Sequence, residues 1–305
     1  MRQEPEAVQP TPGGTTNLGD HPVARIGYGA MQLAHADEAT AHAILRRAAE
    51  LGVNHIDTAS FYGNGRVNRL IRSALAPYPS DLALVSKVGA RFDAGHTPTT
   101  VPAQRPHELR SGVEDDLREL GTERITVVNL RRMDAGPGFV DEGGGGVPLD
   151  DQLAELVALR DEGKIGAIGL SNVSAAQLQA ALTAGIVCVQ NLYSVLDRRD
   201  EALLEMCRRH DIAWVPFAPL GSALDHIPSP TEHPVVKEIA ARIGVTSAQV
   251  SLAWVLAHAP NTLLIPGTGS IEHLTENIAA ADVRLSAADM SALDALTSNA
   301  TARIR

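Results

Sequence analysis

At 305 residues the chain suits one large α/β domain or two small ones, and its 44% hydrophobic content is ordinary for a folded globular protein. No apolar run approaches about eighteen residues, so no membrane span is expected. A formal net charge of -10 argues against general affinity for nucleic acid. The two cysteines, Cys188 and Cys207, lack CxxC spacing, and the histidines lack HExxH spacing, so neither a disulfide framework nor a metal is indicated. Residues 1–14, rich in Pro, Gly and Thr, read as a disordered leader without an apolar signal core. The cytoplasm is the default compartment.

From residue 15 to the end at 305 the pattern is a rhythm of strands and helices. A strand is predicted over 23–31, then a helix over 37–51 with Asp37 as cap and Gly52 as stop. Strand 53–57 precedes helix 65–76, strand 82–87 precedes helix 107–120, and strand 124–131 precedes a loop and helix 149–162. Strand 165–170 leads to helix 174–184, and strand 186–190 to helix 199–210. The seventh strand, 212–217, is followed by helices over 234–243 and 247–258; the eighth, 262–266, by helices over 271–281 and 287–296. Eight strands alternating with helices in one chain predict a single-domain (β/α)₈ TIM barrel. A doubly wound sheet is the rival, but Gly27-Tyr28-Gly29 is only a fragment of the GxGxxG that such a fold would carry.

Barrels keep their functional residues at the C-terminal ends of the strands. Asp57, Lys87, Ser171, Asn172, Gln190 and Phe217 all fall there. An Asp ending an apolar strand, with Tyr62 five residues on and Lys87 ending the next strand, is odd for packing alone. The trio has a chemical use. A free tyrosine titrates near pH ~10, and a neighbouring ammonium favours its phenolate form. Asp57 would keep Lys87 charged and aimed. Such a group protonates an oxyanion as hydride reaches a carbonyl, so the rest of the chain must supply a nicotinamide site.

Over roughly residues 20–297 the chain resembles the aldo-keto reductases. The stretches that carry the resemblance are Gly27-Tyr28-Gly29-Ala30-Met31, Asn54-His55-Ile56-Asp57-Thr58-Ala59 with Tyr62-Gly63, Ser86-Lys87, Gly163-Lys164-Ile165, Gly169-Leu170-Ser171-Asn172, Gln190, Pro219-Leu220-Gly221 and Ile265-Pro266-Gly267-Thr268. Residues 27–33 and 127–131 are most similar to the bacterial pyridoxal reductase branch. The resemblance implies Tyr62 as proton donor, with Lys87 and Asp57 supporting it. It implies NADPH as cofactor, with NADH left open. Ser171, Asn172 and Gln190 would bond the nicotinamide carboxamide, and Phe217 would stack on the ring. Leu220 and Ser222 would lie along the pyrophosphate. Gly267, Thr268, Ser270, His273, Glu276 and Asn277 would meet the adenosine phosphate and adenine.

Two positions depart from the family pattern. Arg131 stands at the end of the fourth strand, where the family usually has a His. An arginine cannot shuttle a proton, but it can donate hydrogen bonds to a carbonyl or clamp an anion. His273 stands where many NADPH-preferring relatives place an Arg, and a mostly neutral His is a weaker anion partner. The resulting expectation is reduction of an aldehyde or ketone by NADPH, with pyridoxal or a similar aromatic or polar aldehyde leading. A keto-sugar or other secondary-metabolite carbonyl, reduction of an activated C=C bond, and a nicotinamide-binding regulatory subunit with vestigial chemistry are the alternatives. The glycine run at 142–147 reads as a loop at the barrel mouth, and the long segment 89–105 as a loop that shapes the substrate site.

Overall fold

The computed structural model describes residues 11–97, 99–134, 146–221 and 227–296. Of the expected leader, residues 11–14 are described, and they turn back onto the chain: the amide of Ile26 donates to the Pro12 carbonyl and that of Arg25 to the Gly14 carbonyl. A hairpin follows, β1 (Thr15–Leu18) antiparallel to β2 (His21–Ala24). The strand expected over 23–31 is therefore three pieces: β2, the first barrel strand β3 (Tyr28–Gly29) and a 3-10 turn over Ala30–His35. The continuity of that run in sequence hid a break. Arg25 spends its guanidinium on the carbonyls of Leu256, Ala259 and Thr262, and the His55 ring occupies the space a side chain at Gly27 would need.

β4 (His55–Asp57) and β5 (Ala83–Val88) are barrel strands. The segment read as a long loop holds a second hairpin, β6 (Ala90–Phe92) paired with β7 (Thr100–Pro102). Then come β8 (Ile125–Arg131), β9 (Ile165–Ser171), β10 (Ile186–Gln190) and β11 (Ala213–Trp214). The sheet runs β11-β10-β9-β8-β5-β4-β3 with every pair parallel. Residues 262–267 occupy the eighth place through single bridges, Thr262 beside Trp214 on one side, Leu264 beside Ile26 and Gly267 beside Gly29 on the other. Amides of Leu263 and Gly27 reach Trp214 and Leu264 carbonyls at 2.8 Å across these two seams. The sheet thus curls into a (β/α)₈ barrel.

Helices pack outside, and their ends follow the local chemistry. Asp37 accepts from the Thr40 amide to start α1 (Glu38–Glu50), whose Ala41, Ile44, Leu45 and Ala48 form a buried stripe at helical spacing. α2 spans Arg66–Leu75 and α3 Pro106–Leu120, the latter ended by Gly121 in the left-handed region. α4 (Leu149–Asp161), α5 (Ala175–Ala181), α6 (Glu201–Arg209), α7 (Pro234–Ile243), α8 (Ser247–His258), α9 (Ile271–Ala279) and α10 (Ala287–Asp294) complete the ring. Among the described residues no single helix is long and apolar enough to cross a membrane.

Two apolar clusters result. The larger lies between strands and helices and contains Trp214 and Trp254, both fully buried. The smaller fills the barrel itself with Ala83, Val85, Val127, Cys188, Ala213, Val215, Leu263 and Ile265; Leu18 and Val23 of the first hairpin belong to it. The hairpin therefore floors the barrel at the N-terminal ends of the strands, which leaves the opposite end as the open one.

Candidate active site

Strand parity decides what reaches the mouth. On β5, Leu84 and Val88 join the outer cluster, whereas Val85 joins the barrel interior, so Lys87 points inward as well. On β8, Val128 and Leu130 face the helices while Val127 faces the interior, which puts Asn129 and Arg131 on the inner face. The register sets Lys87 beside Asn129 and Arg131 beside Ser171. Asp57 ends β4, one strand over from β5.

Lys87, only 5% exposed, donates to Asp57 Oδ1 at 2.5 Å and to the Thr58 carbonyl at 3.1 Å. Gln190 Nε2 donates to the other Asp57 oxygen at 2.9 Å. Burial alone would favour the neutral amine of Lys87, but the charges of Asp57 and then Tyr62 outweigh it and raise the lysine above its ordinary range. Lys87 is therefore an ammonium. It lies 5.1 Å from the centroid of the Tyr62 ring, which is partly buried and meets Phe61 edge-on. Tyr62 is carried by a tight turn: Gly63, Asn64 and Gly65 are all left-handed, and the chain then starts α2. Two glycines flanking one Asn suit such a turn, because glycine adopts positive φ without a steric penalty.

Arg131 sits partly buried on the inner face, and burial lowers its pKa while the Tyr62 charge acts the other way. Ser171 and Asn172 end β9, with Asn172 held left-handed at φ 61° and its amide donating to the Gln190 carbonyl. Ser171 Oγ and Gln190 Oε1 are buried without a hydrogen-bond partner among the described residues. Such atoms are costly unless a ligand satisfies them. Phe217, partly buried, bridges to Leu192, and Leu220 packs on the outer cluster nearby. Gly267 and Thr268 lead into α9, whose cap Ser270 accepts from the His273 amide. Thr268 and Asn277 are buried, Glu276 partly so, and His273 is exposed. The described sequence-predicted residues thus lie at the open end of the barrel, at the start of α9 and, for Glu276 and Asn277, further along that helix. Ser222 and the glycine run at 142–145 lie outside the described residues.

Several supporting residues escaped the sequence reading. Asp116 of α3 is fully buried and accepts from Ser86 Oγ and Asn68 Nδ2, both at 2.6 Å. Asn68 Oδ1 in turn accepts from Thr58 Oγ1, and the Thr58 carbonyl accepts from Lys87. This chain of bonds braces the back of the Lys87 strand. The signal was present: Leu109, Val113, Asp116 and Leu120 share the buried face of α3, so a carboxylate stood in an apolar stripe. Gln104 is a second brace, donating to the carbonyls of Gly89 and Arg131 and tied to Gln152. Two surface cavities, one of about 750 Å³ lined by Arg25, Leu256 and Arg284 among others, lie toward the N-terminal face, away from these groups.

A barrel with an Asp–Lys pair beneath a Tyr at its C-terminal end defines an oxidoreductase of the NAD(P)H-dependent kind, and comparison with known proteins agrees. The aldo/keto reductase family model matches residues 25–298, and the chain belongs to that family. It is 43% identical over 291 residues to the pyridoxine 4-dehydrogenase of Escherichia coli K12, covering 93% of this chain and 98% of that protein. Among solved structures, an aldo-keto reductase from Klebsiella pneumoniae in complex with NADPH superposes with a TM-score of 0.75 at 28% identity, covering 90% of this chain and 91% of that one. A thermostable aldo-keto reductase bound to the inhibitor epalrestat gives 0.77 at 28% identity, covering 93% and 99%.

Proposed function

We propose that this chain reduces an aldehyde to an alcohol with NADPH, and that its substrate is pyridoxal or a similar aromatic or polar aldehyde. The observation that carries the reading is the buried Asp57–Lys87 pair set against Tyr62. The name of the E. coli relative supports the substrate, since reversing the dehydrogenation of pyridoxine at that carbon reduces the corresponding aldehyde. The Klebsiella complex supports NADPH.

The residues present fit a nicotinamide. Ser171 Oγ and Gln190 Oε1 are buried atoms that a carboxamide N–H can satisfy, and Asn172 lies beside them. Phe217 would stack on the ring, and Leu220 would lie along the pyrophosphate. Gly267, Thr268 and Ser270 open α9, where backbone amides and the helix dipole favour phosphate. His273, Glu276 and Asn277 on the same helix meet the adenosine end. When bound, the reduced nicotinamide supplies the hydride.

The chain's own residues handle the proton. Tyr62 O–H donates to the carbonyl oxygen as hydride arrives, and the phenolate left behind faces the Lys87 ammonium. Asp57 keeps that ammonium charged and fixed, and Gln190 holds Asp57. Arg131 adds positive charge beside the same oxygen. In the test, wild type consumes NADPH with pyridoxal, and Tyr62→Phe lowers kcat by about 10²–10⁴-fold while NADPH affinity persists. Wild type that fails to bind NADPH would overturn the cofactor assignment.

A further inference from the structure

Arg131 bears the charge in this site that no described side chain answers. Asp57 balances Lys87. The next residue along, Arg132, is fully engaged by Asp134, Gln152 and the Val147 carbonyl. For Arg131 only the carbonyl is used: Gln104 Nε2 donates to it at 2.9 Å, and Gln152 holds Gln104 in turn. Its backbone is pinned, while its guanidinium has no hydrogen bond or ion pair among the described residues. A partly buried cation left this way is stabilised by a ligand anion.

The position of that anion is restricted. Arg131 is one inward-facing step beyond Asn129, which is level with Lys87. Arg131 lies close enough to Tyr62 to couple to it electrostatically, and Tyr62 is the group aimed at the substrate carbonyl. An anion held by Arg131 therefore lies at the reacting end of the substrate, next to the carbonyl oxygen. A guanidinium is also a planar fork that engages two oxygens on one edge. We propose that Arg131 selects the substrate, and that the class selected is an aromatic aldehyde carrying an ionised hydroxyl ortho to the carbonyl, with one arm of the fork on each oxygen. This rests on the reductase reading above and narrows its substrate, pyridoxal being one member of the class.

The reaction shows why the pairing matters. Hydride adds to the carbonyl carbon, the π pair moves to oxygen, Tyr62 supplies the proton, and NADPH becomes NADP⁺. An ortho oxyanion repels the charge growing on the carbonyl oxygen, and a cation bridging both oxygens offsets that repulsion. Arg131 is thus worth most when the second oxygen is charged.

The test compares 3-hydroxypyridine-4-carbaldehyde, its 3-methoxy counterpart and pyridine-4-carbaldehyde at neutral pH, with NADPH. Wild type is expected to prefer the hydroxy compound in kcat/KM, and Arg131→Gln to lower kcat/KM for it roughly thirtyfold more than for the other two. Arg131→Lys keeps the charge without the fork and should retain part of the preference. NADPH binding, followed by fluorescence, checks that each variant is folded; should Arg131→Gln fail it, the Lys variant carries the comparison. Equal losses on all three aldehydes, or no wild-type preference, would overturn this inference alone. Wild type that binds NADPH yet reduces none of them would sink the reductase reading and this inference together.

Discussion

Asp57 is held from both sides, one oxygen by Lys87 and the other by Gln190. Replacing it with Asn removes the negative charge that balances the buried Lys87 ammonium. Asp57→Asn should therefore cost about 3–5 kcal/mol in urea unfolding and lower reductase kcat with it. Unchanged stability would mean that Lys87 does not depend on the pair. Asp57 and Lys87 were legible in the sequence because polar groups at the tips of apolar strands interrupt the alternation, and Tyr62 because it follows Asp57 after a short turn. The isolation of Arg131 was not, since it depends on which carboxylates face it across the barrel. The orphaned atoms of Ser171 and Gln190 were hidden for the same reason: pairing across strands is a property of the fold.

At the scale of elements, the helices were legible because their ends carry chemistry, as at Asp37, Gly52 and Gly121. The two hairpins were not. β1 and β2 are four residues each, β6 and β7 three, too short for period-two alternation to stand out, and Pro22 sits inside one of them. Gly29 could be read as part of a motif, but its reason is the seam: a Cβ there would meet the Ile265 carbonyl oxygen at 2.5 Å. That atom is backbone and cannot swing aside. Gly29→Ala should push residues 262–267 away from β3 and lower stability by about 1–3 kcal/mol. A urea midpoint equal to wild type would show that the seam is looser than this contact requires.

Across the whole molecule, two buried groups pull the pH dependence of stability in opposite directions. Burial lifts Asp116 from 3.8 to about 7, against the opposing bonds from Ser86 and Asn68. Between those values the folded chain keeps a proton that the unfolded chain has released, so stability falls as pH rises, by up to about 1.4 kcal/mol per unit. Burial drives His55 the other way, from 6.5 to about 4. There the unfolded chain holds the extra proton, and stability rises with pH by a similar slope. The two contributions cancel from about pH 4 to 6.5. Asp116→Asn removes one of them, so urea unfolding of that variant should show stability climbing with pH across that window, beyond any slope in wild type. A variant slope equal to wild type would remove Asp116 from the balance.

The barrel is closed by its two ends: Ile26 bridges to Leu264 and Gly29 to Gly267. On a ribosome, that closure waits until the residues around 264 have been made. Asp57 and Lys87 are synthesised early, yet β3 remains an open sheet edge until the residues around 264 emerge, and such an edge invites pairing with another chain. The eighth strand and α9 emerge together, well after the other strands. The step that seals the nascent barrel against aggregation is thus also the one that completes the proposed dinucleotide site.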